Sequence, residues 1–222
     1  MKKAHIIVTL LLVYSVQLKA DYRPLKLYYM ILKADEIVYG HIKKLDKSYF
    51  YLDDTTSHNR KTIKIMRFHN WACASRYEEY KVGQKVLLFL KKKGDYFYIM
   101  SAGGEGEIAI INDSVSFRIA DSFSPPYERQ EFGPYYIQDS MVKYKFLKGN
   151  YNYYSKFKIS FLELLSAIKI LKQHFIFSNN DEFWCKEFLE NSHNALNISI
   201  SQGSFFELLY KGFIIDGYKY CR

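Results

Sequence analysis

Short apolar segments separated by turn residues recur through the first half of the chain, and they limit its fold more than any other feature. Residues 86–90 (VLLFL) form a continuous apolar run of strand length. The polar stretch 91–95 (KKKGD) follows it, and residues 96–100 (YFYIM) return as a second apolar segment. Two such runs joined by a loop that contains Gly94 indicate a β-hairpin.

Other segments of the same region have the length and composition of strands. Residues 62–68 alternate between polar and apolar side chains, which is typical of a half-buried strand. Additional strands are predicted at residues 37–42, 49–52, 107–111 and 115–119. Several short strands at close spacing suggest a sandwich or a small barrel, and their number fits a small Greek-key barrel of the OB type. Closing the sheet would also remove exposed edges from these tyrosine-rich strands.

The first twenty residues have the pattern of a secretory signal peptide. Lys2 and Lys3 precede an apolar stretch at residues 4–16, and Ala20 supplies the small residue before a cleavage point. The apolar stretch is shorter than the roughly 20 residues that a spanning helix requires. We therefore expect a periplasmic or secreted protein with no membrane span after cleavage. An uncleaved membrane anchor is the alternative.

Charge and cysteine content agree with an exported binding protein but do not identify a ligand. The chain has a formal net charge of +9, which becomes +6 when the three lysines of residues 1–20 leave with the signal peptide. This moderate charge favours anionic surfaces, but it lacks the dense basic stripe of a dedicated nucleic-acid binder. Export permits a disulfide between Cys185 and Cys221, which would leave Cys73 unpaired. Spacing alone does not fix the pairing.

Proline positions divide the mature chain into two parts. Three of the four prolines lie within residues 122–136, which we interpret as an extended connector between a barrel domain at residues 21–121 and an α-rich segment at residues 137–222. In that segment, residues 160–163 (SFLE) form a capping-box pattern before a helical apolar repeat. Two further helices are predicted to begin near residues 178 and 204. The expected fold class is therefore α+β, with an N-terminal OB-like barrel and a helical C-terminal part.

Two stretches of the predicted barrel resemble a known family. Residues 34–42 (ADEIVYGHI) and 80–90 (YKVGQKVLLFL) resemble the opening strand and a later strand of netrin/TIMP-like secreted domains. The resemblance implies an OB fold. Inhibitory members of that family chelate a protease zinc through an N-terminal cysteine, but here Asp21 begins the predicted mature chain and Cys73 is the first cysteine. The resemblance therefore implies no inhibitory residue.

A glycine-rich string places two carboxylates close together in the sequence. Residues 101–107 (SAGGEGE) contain Glu105 and Glu107, which would point to the same side of an extended backbone. Two carboxylates on one lip could bind a cation or act as acid and base. The alternative, which we favour, is a glycine-rich bulge or strand connection with solvated acids, because no partner base or nucleophile is identifiable.

A second string mixes basic and aromatic residues. Lys145 and the tyrosines Tyr151, Tyr153 and Tyr154 lie in a stretch where lysines interleave with aromatic side chains. Aromatic faces with nearby cations can bind sugars, nucleic-acid single strands or polyanions. A pair of strands with aromatic inner faces and lysine outer faces explains the pattern equally well.

Metal and cofactor signals are weak. His69 and Cys73 are four residues apart and would share one face of a helix, as two zinc ligands can. No matching second pair follows, so we expect a buried cysteine rather than a metal site, and no cofactor. The nucleophile motif G-x-S-x-G and the zinc-binding motif H-E-x-x-H are also missing from the sequence.

These observations lead to one functional hypothesis and two alternatives. The main hypothesis is an exported binding protein of the bacterial envelope or exterior that contacts a protein or a glycan. Nucleic acid is not the expected partner. The alternatives are a hydrolase of an envelope polymer that uses Glu105 or Glu107, and a structural subunit that assembles through its tyrosine-rich surface.

Overall fold

The computed structural model describes residues 25–56, 61–70, 76–101, 105–118 and 156–174, together with Phe205 and Leu209. Two helices lie in these ranges, α1 (Leu27–Lys33) and α2 (Phe161–His174). The strands in chain order are β1 (Glu36–Leu45), β2 (Tyr49–Asp54), β3 (Thr62–Met66), β4 (Lys85–Lys93), β5 (Tyr96–Ile99), β6 (Glu107–Ala109), β7 (Ser114–Arg118) and β8 (Lys156–Ser160).

Five strands close into a barrel. The strand order β1-β2-β3-β5-β4 continues through a pairing of β4 with β1, and β6 pairs with the first half of β4 on the edge opposite β1. All barrel pairs are antiparallel except β3 with β5, which run parallel. This is an OB-like barrel, and the predicted α+β fold class is confirmed. Each predicted strand of residues 37–119 overlaps an observed one.

Strand β4 is buried on both faces, which explains its continuous apolar sequence. Val86, Leu88 and Leu90 point into the barrel. Leu87 and Phe89 point outward into a second apolar cluster under the helices. The barrel interior is completed by residues of the surrounding strands, chiefly Val38, Ile42, Phe50, Leu52, Ile63, Ile65 and Ile99. One strand therefore couples the two apolar clusters of the molecule.

The second cluster attaches the helices to the barrel wall. In α2, Phe161, Leu164, Ala167, Ile168 and Leu171 are buried at the three- and four-residue spacing of one helix face. The backbone N–H of Glu163 donates to the Ser160 hydroxyl at 3.1 Å, as the predicted capping box requires. Phe205 and Leu209, four residues apart and both helical, are buried in the same cluster.

Helix α1 was not predicted from the sequence. It has seven residues and no side-chain cap at Lys26. Four of its residues are nevertheless buried: Leu27, Tyr28, Met30 and Ile31. A helix this short is marginal alone, so tertiary packing against the second cluster stabilises it.

Two tight turns set the register of the hairpins. Gly94 has a positive φ of 62° in the two-residue loop between β4 and β5, where Lys93 pairs with Tyr96. Asn112 and Asp113 have φ of 49° and 52°, and Ile111 and Ser114 exchange both backbone hydrogen bonds around them. Two consecutive positive φ values are typical of a type I′ hairpin turn.

Strand β1 passes very close to β2 at Gly40. A Cβ atom built on Gly40 would collide with the backbone carbonyl of Asp53. Any side chain at this position would therefore push the two strands apart. At the start of the strand, the Asp35 carboxylate accepts from Lys91 Nζ at 2.8 Å and from the Lys92 backbone N–H at 2.9 Å. These contacts give physical roles to residues of the 34–42 string.

Strand pairing also joins parts of the chain that the sequence assigned to different segments. β7 falls within the predicted barrel domain, and β8 within the predicted α-rich segment, yet the two strands pair antiparallel. The predicted connector at residues 122–136 and the signal peptide lie outside the described residues. Within the described residues, neither helix has the length and hydropathy needed to cross a bilayer.

Candidate ligand-binding face

The outward side of β2, β3 and β5 carries tyrosines and lysines in register. Because Phe50, Ile65 and Ile99 point into the barrel, their neighbours along each strand point outward. The outward residues of these strands and of the flanking ends of β1 and β4 define the Lys–Tyr face: Lys44, Tyr49, Tyr51, Lys64, Met66, Lys91, Lys93, Tyr96 and Tyr98.

The residues form two rows across the strands. In the first row Lys44 pairs with Tyr51, Tyr51 pairs with Lys64, and Lys93 pairs with Tyr96. Ile65 pairs with Phe97 in the parallel ladder of β3 and β5. The residues that precede them, Lys64 and Tyr96, are therefore also neighbours. The first row therefore alternates lysine and tyrosine over five strands.

The second row runs beside the first and contains an apolar centre. Tyr49 pairs with Met66, Met66 with Tyr98, and Tyr98 with Lys91. The side chains of Met66 and Tyr98 are exposed, at 39% and 37% of their full area. Exposed methionine and tyrosine at the middle of a rigid barrel wall offer an apolar contact surface to a ligand.

The rings and the ammonium groups of the Lys–Tyr face contact one another. Lys64 Nζ lies 4.5 Å from the centre of the Tyr49 ring, and Lys44 Nζ lies 5.4 Å from that of Tyr51. The Tyr49 and Tyr96 rings meet edge to face at 5.4 Å. Cation–π and edge-to-face contacts hold these side chains in place before any ligand arrives.

Several polar groups of the face have no protein partner among the described residues. The hydroxyls of Tyr49, Tyr96 and Tyr98 make no hydrogen bond there, and Lys44 and Lys93 make no ion pair there. By contrast, Lys64 binds Asp95 and Lys91 binds Asp35, each at 2.8 Å. Within the part of the chain that the structure describes, these hydroxyls and the ammonium groups of Lys44 and Lys93 are the ones available for a ligand.

Asp46 fixes the β1–β2 turn beside the face. Its carboxylate accepts the backbone N–H groups of Tyr49 at 2.6 Å and Ser48 at 2.9 Å, and also the Tyr51 hydroxyl at 3.2 Å. These donors, led by the Tyr49 N–H, lower the pKa of Asp46 below its ordinary value. The Asp46 carboxylate therefore holds both tyrosines of β2, Tyr49 through its backbone and Tyr51 through its hydroxyl.

The Asp46 contacts predict a specific loss of stability in acid. Because the folded pKa lies below the unfolded value of about 3.9, the contribution is complete above that pH and disappears as pH falls through the folded pKa. We expect the urea midpoint of unfolding, measured by circular dichroism, to fall less in Asp46→Asn than in the unsubstituted protein as the pH is lowered below 5. An acid decline identical to that of the unsubstituted protein would contradict this role.

A second cluster of polar side chains surrounds Glu107. Arg76 donates to its two carboxylate oxygens at 2.9 and 2.5 Å, and the Tyr80 hydroxyl donates at 3.2 Å. The Glu107 side chain is fully buried and that of Arg76 nearly so. Burial raises the pKa of Glu107, while the hydrogen bonds and the charge of Arg76 oppose that rise. The Arg76–Glu107 ion pair therefore joins the segment between β3 and β4 to β6.

Aromatic rings enclose the Arg76 guanidinium. It lies 3.8 Å from the centre of the Tyr80 ring and 4.5 Å from that of Tyr77. Gln84 accepts a further hydrogen bond from it at 2.9 Å. Burial, and then the nearby Glu107 charge, raises the pKa of the Tyr80 phenol, so this group stays neutral and remains a donor.

The structure separates the two carboxylates of the 101–107 string. Glu105 is buried and accepts from the Ser101 hydroxyl, whereas Glu107 is bound by Arg76. The expectation of solvated acids was therefore wrong, because each carboxylate is folded against its own partner. Gly106 between them lies so close to the Met100 carbonyl that a Cβ atom would not fit. The glycine is thus explained by a close backbone approach.

The other predicted site residues lie outside the described residues. These are Lys145, Tyr151, Tyr153 and Tyr154, the cysteines Cys185 and Cys221, and Cys73 of the weak metal pattern. They stay predictions. Across the ranges that the structure does describe, histidine, cysteine and acidic side chains form no group of three suited to a metal ion.

The Lys–Tyr face itself was missed at the sequence level, although its signal was present. Tyr49 and Tyr51, Lys64 and Met66, and Tyr96 and Tyr98 are each two residues apart within predicted strands. This spacing puts each pair on one side of its strand. That the three pairs share one wall depends on the strand order, which the local sequence does not contain.

Comparison with known proteins adds little to this geometry. No family model matches the chain, and no curated protein matches it. A solved structure described as "Crystal structure of putative exosome complex RNA-binding protein" is similar over 83% of this chain and 97% of its own, with 14% sequence identity and a TM-score of 0.26. A likeness that low carries no argument about fold or function.

Proposed function

We propose that this chain is an exported binding protein of the bacterial envelope or exterior, and that it binds a protein or glycan ligand on the Lys–Tyr face. The observation that carries the proposal is the five-strand row of alternating lysine and tyrosine, in which Lys44 and Lys93 make no ion pair among the described residues. Export rests on the signal-peptide pattern of residues 1–20.

The fold supports the choice of this face. OB barrels commonly bind oligosaccharides and oligonucleotides on the wall formed by their second and third strands and on the neighbouring loops. In this chain the wall carries Tyr49, Tyr51 and Lys64, and the β1–β2 turn is fixed by Asp46. This support is an analogy between folds, and the particular side chains carry the rest of the argument.

We further propose a relationship to netrin/TIMP-like domains, on the basis of residues 34–42 and 80–90. Two glycines of these strings have physical roles that fit a strand motif. Gly40 allows the close approach of β2, and Gly83 has a positive φ of 89° where the chain enters β4. No inhibitory residue is carried over.

The hydrolase alternative receives less support from the contacts of its two residues. An acid or base must reach the bond it acts on. Glu107 is fully buried and bound by Arg76, and Glu105 is buried beside Ser101. The alternative of a structural subunit would use the same exposed tyrosines, and light scattering at high concentration tests it directly.

Binding to an envelope extract, separated into polysaccharide and protein fractions, tests the proposed function. We expect Tyr98→Ala to weaken binding of the retained fraction about five- to thirtyfold, which corresponds to 1–2 kcal/mol for an exposed aromatic contact. Titration by calorimetry or by surface binding would measure the loss.

The control is Leu162→Ala, since Leu162 is a large, exposed apolar residue of α2 and is not part of the Lys–Tyr face. Equal binding by the unsubstituted chain, Tyr98→Ala and Leu162→Ala would overturn the assignment of this face. Circular dichroism should show that all three proteins keep the same fold.

A further inference from the structure

The proposed function leaves the ligand open between a protein and a glycan. Resting on that proposed function, we infer that the ligand of the Lys–Tyr face is an anionic glycan chain, with carboxylate or sulfate groups separated by uncharged sugar units. Three observations support this inference: the spacing of the lysines that make no ion pair among the described residues, the carboxylate partners of two other lysines, and the contacts of the tyrosine rings.

The unpaired cations lie at the two ends of the first row. Lys44 is on β1 and Lys93 on β4, and neither makes an ion pair within the described part of the chain. Adjacent strands are separated by about 4.8 Å, so the four strand spacings between them amount to roughly 19 Å along the barrel surface. A ligand that contacts both lysines therefore spans this distance with at least two negative charges, as an extended chain does.

Carboxylates neutralise two other lysines of the face, Lys64 at the centre of the first row and Lys91 at the β4 end of the second. Lys64 is bound by Asp95, and Lys91 is bound by Asp35. A ligand with a negative charge on every unit, such as a nucleic acid or a polyglutamate segment, would place unpaired charges against these neutralised lysines. Charges at intervals, with neutral units between them, match the arrangement better.

Three tyrosines of the face offer hydroxyls to a ligand, and two have one ring face covered by a lysine. Lys64 lies over the Tyr49 ring and Lys44 over the Tyr51 ring, which covers one face of each. The hydroxyls of Tyr49, Tyr96 and Tyr98 remain without partners among the described residues. Nucleobases bind such proteins chiefly by stacking on aromatic faces, whereas a sugar chain offers many hydroxyls to these donors and acceptors.

The exposed side chain of Met66 provides an apolar contact for a sugar ring at the centre of the second row. Its side chain lies between Tyr49 and Tyr98 in the strand register. Sugar rings have apolar C–H faces as well as hydroxyls, so an apolar centre surrounded by phenol groups can contact both parts of one ring.

Calorimetric titration with defined polymers tests the inference. The probes are hyaluronan oligosaccharides, which have a carboxylate on every second sugar, κ-carrageenan oligosaccharides, which have a sulfate on every second sugar, neutral dextran, polyglutamate and single-stranded DNA, all at matched length and at two salt concentrations. We expect one of the anionic glycans to bind more tightly than every other probe. We expect the double variant Lys44→Gln/Lys93→Gln to weaken that binding about fivefold or more at low salt.

Lys169→Gln is the matched control, because Lys169 is an exposed lysine on α2 and lies outside the Lys–Tyr face. It should bind like the unsubstituted chain. Tighter binding of polyglutamate or DNA than of either anionic glycan would overturn the inference, and so would equal losses in the double variant and the control.

The outcomes separate this inference from the proposed function. If neutral dextran binds as tightly as the anionic glycans and Tyr98→Ala still weakens binding, the anionic ligand is wrong but the face is right. If no polymer binds, the inference fails, and the Tyr98→Ala comparison on envelope fractions decides the proposed function independently.

Discussion

Replacing Glu107 by Gln is expected to lower the free energy of unfolding by about 3–5 kcal/mol, because Arg76 would keep a buried charge without its counter-ion. The substitution preserves side-chain size, so no cavity contributes to the loss. Arg76→Met should cost a similar amount, since it leaves the Glu107 carboxylate buried and unpaired. Equilibrium urea unfolding, followed by circular dichroism, measures both changes.

The double variant Arg76→Met/Glu107→Leu is the informative control. Apolar side chains of similar volume often replace a buried ion pair without loss, so we expect the double variant to recover most of the stability lost in either single variant. Additive losses in the double variant would show that packing, rather than charge, dominates at this position. A Glu107→Gln variant as stable as the original would contradict the buried pair.

The second large effect is expected at Gly40. Gly40→Ala should lower the free energy of unfolding by about 3 kcal/mol, because the added methyl group would overlap the Asp53 carbonyl and force β1 and β2 apart. Since backbone, not a flexible side chain, occupies the space, local rearrangement offers little relief. Urea midpoints measured by circular dichroism give the change.

Gly83→Ala separates steric overlap from backbone conformation. Gly83 has a positive φ of 89°, but no atom lies near the position of an added Cβ. Its substitution should cost only about 1 kcal/mol, through strain of the left-handed backbone. If Gly83→Ala proves as damaging as Gly40→Ala, the close approach of the two strands is not what requires glycine at position 40.

Local sequence was sufficient for elements whose signals are contained in a few neighbouring residues. The β4–β5 hairpin followed from two apolar runs around Gly94, and the start of α2 followed from Ser160 and Glu163. Both depend on hydrogen bonds and turn geometry within a short stretch of chain. The OB-like barrel could be inferred because several such strands occur at close spacing.

Elements that depend on distant contacts were not predictable in this way. Helix α1 has no cap and is stabilised by burial against a barrel wall that forms from later residues. The partner of Glu107 is Arg76, thirty-one positions earlier in the chain. Nothing in the residues around Glu107 distinguishes a buried carboxylate with that partner from a solvated one.

The amino-acid sequence alone determined the α+β class, the positions of the barrel strands and the side of each strand on which a tyrosine lies. These properties follow from the two-residue period of a strand and from turn chemistry. Only the tertiary structure decided that β3 pairs with β5, that Tyr51, Lys64 and Tyr96 therefore stand in one row, and that Glu107 is buried. Strand order and burial depend on contacts between distant residues, which local patterns do not specify.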